Sequence, residues 1–437
     1  MIKRISFFLL GTLLPLAIQA QNHFITDVGV RALLSEKDNT FWTHSNTNGL
    51  IAPNTSFLGT VNTEFSKYSG EYGRLVIGAS GFYAVNRDES NALELNEYYG
   101  MYELHQFKVT LGAKQRPEKL MGLSGVGGDI LWSNNARAIP GIEFATFEPF
   151  KIFDFLSIEG ALGHYFLNDD RHMDKARLHY KQLTFNFKTY ERSFLSLGLH
   201  HYAQWGGESQ PNSVGDYIKV ALGDTGSTKA NQLGSYHIDY NYEFRNRDKL
   251  HVYYQSIFDV NAGIKLDNFP DGVWGAFWST PEDTFIKGFL YEYQHTINSQ
   301  NYFNHDTYQS GYTYFGEVIG TPFITPNRNP NADPDSPAII NNTYRAHHVG
   351  VTGRIFNLDY RGKASYVVNK GLPDNSYDPS HNNLYVYGEL IYTPSERSSF
   401  LFSLGGDLRD SERNRLTASL GYRYRFGRLS RYIYRRN

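Results

Sequence analysis

Strict alternation of apolar and polar side chains is the feature that most constrains the fold of this chain. From Tyr236 to Arg245, large apolar residues occupy every second position and polar residues lie between them. Successive side chains of a β-strand point to opposite sides, so this pattern predicts a strand with one apolar and one polar face. The local pattern is the same in a soluble sandwich, whose apolar face points inward, and in a membrane barrel, whose apolar face points to lipid.

Comparable alternation recurs along the chain, and clusters of Asn, Asp, Gly, Pro and Ser separate the alternating segments. Such clusters are typical of turns, so the sequence predicts many strands and no convincing helix. The clearest further strands are predicted at residues 156–166, 181–188, 194–202 and 415–426. The second face of the last strand carries Thr, Ser and Arg, which suits a wet lumen better than a sandwich core.

The predicted connections fall into two length classes. Tight turns are expected at residues 245–249 and 394–397, and the longest polar loops at residues 327–342 and 371–383. Short turns at one rim and long loops at the other are typical of outer-membrane barrels.

The N-terminal residues predict export. Lys3 and Arg4 precede an uncharged apolar run from Ile5 to Ile18, and a small residue, Ala20, ends the segment. This order of charged, apolar and small residues is that of a secretory signal peptide. We therefore predict a signal peptide at residues 1–20. A retained anchor or a buried helix is the alternative, but the run is short for a membrane span.

Composition limits the class of membrane protein and the partners. Beyond residue 20 there is no run of about twenty apolar residues, and a mean hydropathy of -0.47 argues against helical spans. The chain has no cysteine, which excludes disulfides and thiolate metal sites. A formal net charge of -2 gives no reason to expect a nucleic-acid partner.

Aromatic residues make up 16% of the chain, whereas hydrophobic residues overall reach only 41%. Tyr and Trp are enriched in the girdles of outer-membrane barrels and also on sugar-binding surfaces. These features predict an all-β fold, an antiparallel transmembrane outer-membrane β-barrel of about 18 strands without a clear N-terminal helical bundle. Residues 21–437 are expected to form this barrel as one domain with extracellular loops, with Tyr236 to Phe244 facing lipid.

Strong enzyme motifs are absent from the sequence. It contains no G-x-S-x-G elbow, no Walker loop, no G-x-G-x-x-G and no H-E-x-x-H. The pairs His200-His201 and His347-His348 resemble metal ligands, but adjacent residues on a strand point to opposite sides. We therefore expect no catalytic activity, no metal and no cofactor.

Three segments, residues 131–140, 200–207 and 301–316, combine amide and planar side chains. Sugar hydroxyls bond to Asn, Gln, Asp and Arg, and the C–H faces of sugars stack on Trp or Tyr. Girdle aromatics and turn residues would give the same composition. Composition alone therefore leaves saccharide binding and a purely structural role equally open.

The same segments belong to longer stretches that resemble the Wzi-like capsule assembly family, in its Bacteroidetes-type form. The resemblance rests on residues 40–50, 127–142, 162–183, 198–207, 268–275, 301–323 and 341–350. It implies an outer-membrane barrel of about eighteen strands. It also implies a lectin that helps to attach or organise capsular or surface polysaccharide. Proteobacterial members have an N-terminal periplasmic helical region, whereas residues 21–72 here show no helical periodicity.

Ligand-binding residues are inferred from residue chemistry rather than from the resemblance. We predict that Trp205 stacks a sugar ring. Six further residues are predicted to bond hydroxyls or uronic acids, namely Gln204, Asn134, Asn135, Arg137, Asp169 and Asp170.

The expected partners are capsular or extracellular polysaccharide, outer-membrane lipid, and the barrel assembly machinery during biogenesis, with the protein as a monomer. The aromatic end of the last strand at Phe426 resembles the terminal strand that such barrels present for assembly. One alternative is a pore or transport barrel for oligosaccharides or small solutes. Another is a barrel enzyme that acts on lipid or glycan through Asp170 or His201.

Overall fold

One antiparallel sheet that closes on itself forms most of the molecule. The computed structural model describes residues 22–70, 72–87, 89–224, 229–259, 267–298, 301–329 and 336–427. The predicted signal peptide, residues 1–20, lies outside the described residues. The first strand begins at Asn22, so the described chain enters the sheet directly.

The strands are β1 (Asn22–Ser35), β2 (Thr55–Ser69), β3 (Gly73–Asn86), β4 (Ala92–Leu104), β5 (Phe107–Ala113), β6 (Pro140–Thr146), β7 (Phe150–Phe153), β8 (Leu156–Phe166), β9 (Arg177–Tyr190), β10 (Ser193–Trp205), β11 (Asn231–Glu243), β12 (Lys249–Ser256), β13 (Phe258–Asp259), β14 (Gly272–Ser279), β15 (Gly288–His295), β16 (Thr313–Tyr314), β17 (Glu317–Val318), β18 (Thr325–Pro326), β19 (Ile339–Asn341), β20 (Tyr344–Ile355), β21 (Leu358–Leu372), β22 (Asn375–Ser395), β23 (Ser398–Arg409) and β24 (Arg415–Gly427). All except β16 to β19 belong to the main sheet.

Strand pairing closes the main sheet into a barrel. β24 returns to pair with β1, from Ile25 opposite Gly427 to Ser35 opposite Thr417. β6 and β7 both pair with β8, and β12 and β13 both pair with β11, so each couple forms one interrupted strand. The result is a closed antiparallel barrel of 18 strands, which confirms the fold predicted from the sequence.

The apolar faces of the strands point outward, as predicted. Ile238 and Tyr240 are 46% and 40% exposed on the outer wall, whereas His237 between them is buried at 7% exposure in the lumen. Leu199 on β10 and Leu420 on β24 continue this exposed apolar belt around the barrel. A belt of this kind is the lipid-facing surface of a transmembrane barrel.

The two ends of the barrel differ in the length of their connections. At the end that we call the turn end, residues 244–248 and 396–397 form short turns, as predicted. At the opposite end, the loop end, the long connections include residues 36–54, 114–139 and 296–343. In outer-membrane barrels the long connections are the extracellular ones.

The prediction of a long polar loop at residues 371–383 is wrong, because this segment extends the hairpin of β21 and β22. Gly371 pairs with Ser376 and Leu372 with Asn375. Pro379 lies where the register shifts between Asn369 and Gly371. A proline fits there because an irregular stretch of ladder does not require its missing N–H.

Two of the long connections fold into the lumen. Residues 114–139 and 301–329, which we call the plug, pack against each other and against the inner wall. Their buried side chains form the largest apolar cluster of the molecule, which includes Leu123, Ile130, Phe303, Tyr312 and Ile319. The barrel therefore has a packed interior along the plug.

In the described residues, helical structure occurs in short segments. A single turn, α1 (Phe41–His44), lies in the first long connection, and α2 (Val214–Ala221) lies between β10 and β11. The prediction of no helix is wrong for α2, whose start is marked by a capping box between Ser213 and Asp216. Within the described ranges, no helix is long and apolar enough to cross a membrane.

Candidate functional site

A cavity of about 400 Å³, which we call the upper cavity, lies at the loop end above the plug. Its sides come from the connection around α1, from residues 322–329 and from the upper parts of β22 and β23. A volume of this size is within the usual range for small-ligand sites. The plug closes the cavity on the lumen side, because Phe41 stacks on Phe323 with ring centroids 5.3 Å apart.

Aromatic rings and amides dominate one wall of the upper cavity. The rings of Tyr377 and His381 stack 4.2 Å apart on the extended part of β22, and both side chains are half-buried. Asn341, Asn369 and Asn383 line the same wall. Aromatic faces and amide groups are the two side-chain classes that recognise the C–H faces and hydroxyls of sugars.

Arginine and carboxylate pairs also line the upper cavity. Arg328 lies 2.6 Å from Glu317, and Arg415 lies 3.2 Å from Asp38. Arg409 contacts Glu412 at 2.5 Å and Asp407 at 3.1 Å. These pairs hold the planar guanidinium groups in fixed orientations while leaving some N–H donors for a ligand.

Three residues that line the upper cavity each have a buried side-chain polar atom without a hydrogen-bond partner among the described residues: His44 Nδ1, Asn383 Oδ1 and Arg409 Nε. Buried polar atoms are normally paired, and an unpaired one costs about 1–3 kcal/mol. A ligand in the cavity can pair with these atoms only if their side chains turn toward it, because protein atoms cover each of them in this structure. Together with the aromatic, amide and charged lining, these unpaired atoms make the upper cavity the candidate binding site.

The pKa of His44 responds to its position in this cavity. Burial lowers the pKa of His44 well below its usual value, and the charges of Arg328, Arg415 and Arg409 lower it further. The imidazole is therefore neutral in the folded protein near neutral pH. A neutral imidazole offers both a donor and an acceptor nitrogen.

The loop end is expected to lose stability as the pH falls below about 6.5. The folded-state pKa of His44 lies below its unfolded value, so the unfolded chain binds more protons. The contribution of neutral His44 to the free energy of unfolding is complete above about pH 6.5, and it decreases as the pH falls toward the folded-state pKa. Melting temperatures at about pH 7.5 and about pH 5 should therefore differ more for the wild type than for His44→Gln. Equal differences in the two proteins would contradict this role.

Of the residues predicted from the sequence, the structure places Asn135 in the wall of the upper cavity. Its side chain is buried and bonds Val318 O at 3.1 Å, while its oxygen accepts the amide of Asn46. Asn134 is also buried, and it donates to Arg116 O at 2.9 Å. Both asparagines tie segments of the plug together.

Gln204 and Arg137 are engaged in internal contacts. Gln204 is fully buried, donates to Gly311 O at 2.9 Å and accepts from Asn231 at 2.8 Å. The Arg137 side chain is 10% exposed and bonds Glu94. It also lies over the ring of Phe315 at 4.0 Å. These contacts join the plug to the wall.

Trp205 lies on the outer wall of the barrel rather than in the lumen. Its ring is 2% exposed and packs against Tyr217 of α2 at 5.3 Å, while Arg177 lies over it at 5.0 Å. Sugar stacking on Trp205 would require α2 to move away from the wall.

The two predicted aspartates have different environments. Asp169 bonds Arg171 through both oxygens, at 2.7 and 3.1 Å, and also accepts the amide of Phe315. Arg171 in turn donates to Thr313 O at 2.7 Å. Asp170 is exposed on the same connection. Asp169 therefore fastens the connection between β8 and β9 to the hairpin of β16 and β17.

Asp169→Ala is expected to loosen that hairpin without unfolding the barrel. The substitution leaves the buried Arg171 and the Phe315 amide without their shared acceptor. This loss lowers the local stability of the hairpin by about 3 kcal/mol. Limited proteolysis should therefore cut within residues 301–329 faster than in the wild type. Asp170→Ala is the matched control and should keep the wild-type rate. Equal rates in all three proteins would show that Asp169 does not hold the hairpin.

Sequence reasoning missed Tyr377, His381, Asn383, Arg409 and Arg415. The first three were within the segment expected to be a loop. The spacing of Tyr377 and His381 could have indicated two rings on one side of the chain, but the intervening Asp378-Pro379 hid the strand. The two arginines come from β23 and β24, and nothing in the sequence pairs them with β22.

A smaller cavity of about 200 Å³ lies below the plug toward the turn end. Lys108, Arg116, Glu143 and Glu159 are among its lining residues. Arg116 lies 3.7 Å from Glu143 and 4.1 Å from the ring of Trp132. Arg116 and Glu143 of this cavity thus pair with each other.

Asp129, His200 and His237 place three possible metal-ligand atoms within 4.8 Å of one another in the described part of the chain. Asp129 already accepts the amides of Leu131 and Trp132, the hydroxyl of Tyr202 and the Nδ1 nitrogen of His200. The two imidazole rings are stacked 3.7 Å apart and nearly parallel, so their nitrogen lone pairs do not converge on one point. This geometry is that of a hydrogen-bonded cluster which holds the plug to β10.

The comparison with protein families decides the family. The profile of the capsule assembly protein Wzi matches residues 55–325, which is more than half of the chain. The chain belongs to the Wzi capsule assembly family. The resemblance seen in the sequence is thereby confirmed. No curated protein sequence matches the chain.

Solved structures show where else this fold occurs. Wzi from Escherichia coli is described as an outer membrane protein involved in group 1 capsule assembly and as a carbohydrate binding β-barrel. It aligns with a TM-score of 0.62 and 14% identity, over 92% of this chain and 84% of Wzi. OccAB4 of Acinetobacter baumannii aligns with a TM-score of 0.52 and 9% identity, over 94% and 99% of the two chains. OprD of Pseudomonas aeruginosa aligns with a TM-score of 0.51 and 10% identity, over 95% and 96%. At these identities the likeness concerns the fold alone.

Proposed function

We propose that this barrel binds capsular or other surface polysaccharide in the upper cavity and helps to attach or organise it at the cell surface. The observation that carries the proposal is the set of three unpaired buried polar atoms in a cavity at the loop end. Membership of the Wzi family supports it. The description of the Escherichia coli Wzi barrel as carbohydrate binding gives further support.

The chemistry of the cavity matches that of a sugar. The stacked rings of Tyr377 and His381 provide a flat apolar face for C–H groups. When these side chains turn toward the ligand, Asn383 Oδ1 accepts a hydroxyl proton and Arg409 Nε donates to a hydroxyl or ring oxygen. Because each arginine near the cavity is paired with a carboxylate, the site favours saccharides with many hydroxyls over highly charged ones.

The seven residues inferred from sequence enter this proposal in different roles. Asn135 belongs to the wall of the upper cavity, and Asn134, Gln204, Arg137 and Asp169 hold the plug that supports the cavity. Trp205 and Asp170 are the remaining two of the seven predicted residues. Their positions, beneath α2 and on an exposed loop, give them no direct contact with the upper cavity.

The remaining proposals concern the biogenesis and the oligomeric state of the protein. We propose export through the signal peptide of residues 1–20, with residues 21–437 as one domain. Insertion by the barrel assembly machinery then yields a monomer in outer-membrane lipid. The pairing of β1 with β24 within one chain supports the monomer, because it leaves no strand edge of the barrel for a partner.

The protein is proposed to act without catalysis. No strong catalytic motif supports an enzyme. His201, one of the two residues that an enzyme would use, is 5% exposed beneath α2 and bonds Gln232 at 2.9 Å. The packed plug disfavours the pore alternative, which a measurement of ion conductance tests.

Retention of capsule on cells tests the proposal. Cells that lack the gene should shed capsular polysaccharide into the medium, and cells re-expressing the wild type should retain it. The Tyr377→Ala, His381→Ala double variant should shed it, whereas the Trp205→Ala, Arg137→Ala double variant should retain it if the barrel is intact. Normal retention in all strains would overturn the function. Shedding only by the second variant would place the site at Trp205 and Arg137.

A further inference from the structure

The connection between β10 and β11 folds outward over the barrel wall, unlike the plug, which folds into the lumen. Leu197 and Leu199 of β10 face outward and are 40% and 44% exposed. His201, Ala203 and Trp205 continue the same outward row, yet all three are buried. They are buried because α2 lies against them on the outside of the barrel.

Specific contacts fasten α2 to the wall. The ring of Tyr217 lies 5.3 Å from the rings of Trp205, His164 and His179. Lys181 of β9 donates to Ala221 O at the C-terminal end of the helix, where a cation is favourable. These contacts hold α2 in a fixed position on the outer surface of the barrel.

One flank of α2, beside the face that makes these contacts, carries a stripe of large aliphatic residues. Val214, Ile218 and Leu222, the last of which caps the C-terminal end of α2, recur every fourth residue and are 79%, 53% and 80% exposed. Residues four apart lie on one face of a helix. An aliphatic stripe of this kind is unfavourable in water and is typical of a helix that lies in a membrane interface.

The stripe is continuous with the lipid-facing belt of the barrel. On β8, Leu162 and Phe166 lie on either side of His164 in the outward row, and each is 48% exposed. His164 itself contacts Tyr217 of α2. The wall therefore still presents apolar side chains at the level where α2 is attached.

We propose that α2 is an interfacial helix whose Val214, Ile218 and Leu222 insert among the acyl chains of the outer leaflet. The occupant of this surface is lipid, and the helix extends the contact of the barrel with the membrane at the rim of β8 to β11. In this arrangement Trp205 is the residue of the barrel wall against which Tyr217 of α2 packs. The inference is independent of saccharide binding.

Site-specific labelling tests the proposal, because the chain has no cysteine of its own. Ile218→Cys is labelled with an environment-sensitive fluorophore, and the protein is reconstituted into phosphatidylcholine vesicles. Some of the lipids carry a nitroxide near the headgroup end of an acyl chain. Leu197→Cys on the lipid belt is the positive control, and Ser411→Cys at the upper cavity is the water-exposed control. Each cysteine variant is shown to be folded by its resistance to unfolding in detergent without heating.

The label at Ile218 should be quenched by the nitroxide lipid to about the same degree as the label at Leu197, and at least about twofold more than the label at Ser411. Aqueous iodide should give the reverse order. A label at Ile218 that behaves like the label at Ser411 would overturn the proposal. If Ile218→Cys does not fold, Leu222→Cys, which replaces the most exposed residue of the stripe, provides the same readout.

Discussion

Planar lipid bilayers that contain the purified wild-type protein are expected to show no steady ion current. The lumen is occupied by the plug, whose buried side chains pack against the inner wall of the barrel. Ions cross a barrel only where water fills the lumen. A pore or transport barrel would instead give large, steady currents, so this measurement separates the two functions directly.

Loss of the plug anchors is expected to produce currents. Glu292 of β15 is fully buried and accepts from Ser124 Oγ at 2.6 Å, Gly125 N at 2.8 Å and Tyr253 Oη at 2.5 Å. His348 of β20 bonds Leu123 O at 2.6 Å. Removing both anchors in Glu292→Ala, His348→Ala leaves several buried groups unpaired. A total cost of about 3 kcal/mol would raise the fraction of loosened plug about a hundredfold.

The control for this experiment is Glu103→Ala. Glu103 is also a buried lumen glutamate, but its partner is Arg74 of the neighbouring strand at 3.5 Å rather than the plug. The Glu103 variant should be as silent as the wild type, and the double variant should show repeated opening events. Large currents from the wild type would favour the transport barrel. A silent double variant with a folded barrel would show that these anchors do not keep the lumen closed.

Binding of polysaccharide to the purified protein is expected to weaken about tenfold in the Tyr377→Ala, His381→Ala variant. Stacking of a sugar on this pair of rings contributes about 1.4 kcal/mol in total, which corresponds to a factor of about ten in affinity. The two rings stand on the extended part of β22, above the membrane belt, so their removal should not affect the barrel. The measurement is calorimetric titration with capsular polysaccharide from cells that produce this protein.

Tyr190→Ala is the matched control for the aromatic substitutions. Tyr190 ends β9 at the turn end and is 80% exposed, far from the upper cavity. This variant should bind with wild-type affinity and show the same melting temperature. Unchanged affinity in the Tyr377, His381 variant would exclude stacking in the upper cavity. Equal losses in both variants would point to a general effect on the protein.

Much of the fold could be predicted because each strand of the barrel follows from a pattern of residues that are close in sequence. Alternation such as that from Tyr236 to Phe244 assigns each residue to the inner or outer face without any knowledge of its neighbours. The absence of a long apolar run excludes helical spans, and turn residues between the strands set the rim. The segment around Pro379 was misassigned, since a proline in a strand needs a register shift that the sequence does not show, and the short helix α2 was missed.

The candidate site could be predicted far less well, because its parts are distant in the chain. Asn383 comes from β22, Arg409 from β23 and His44 from the first connection, and closure of the barrel brings them to one cavity. Asn135 and Asn134 have the chemistry of sugar ligands, but their hydrogen bonds within the plug use that chemistry internally.

The sequence by itself determined the barrel, its lipid-facing surface and the family. Those properties depend on side-chain alternation along single strands and on long matching segments. Only the tertiary structure decided which connections enter the lumen, which one covers Trp205 from outside, and where polar atoms are left unpaired. Those outcomes depend on contacts between residues far apart in sequence, and a local pattern carries no information about which distant partner satisfies a given side chain.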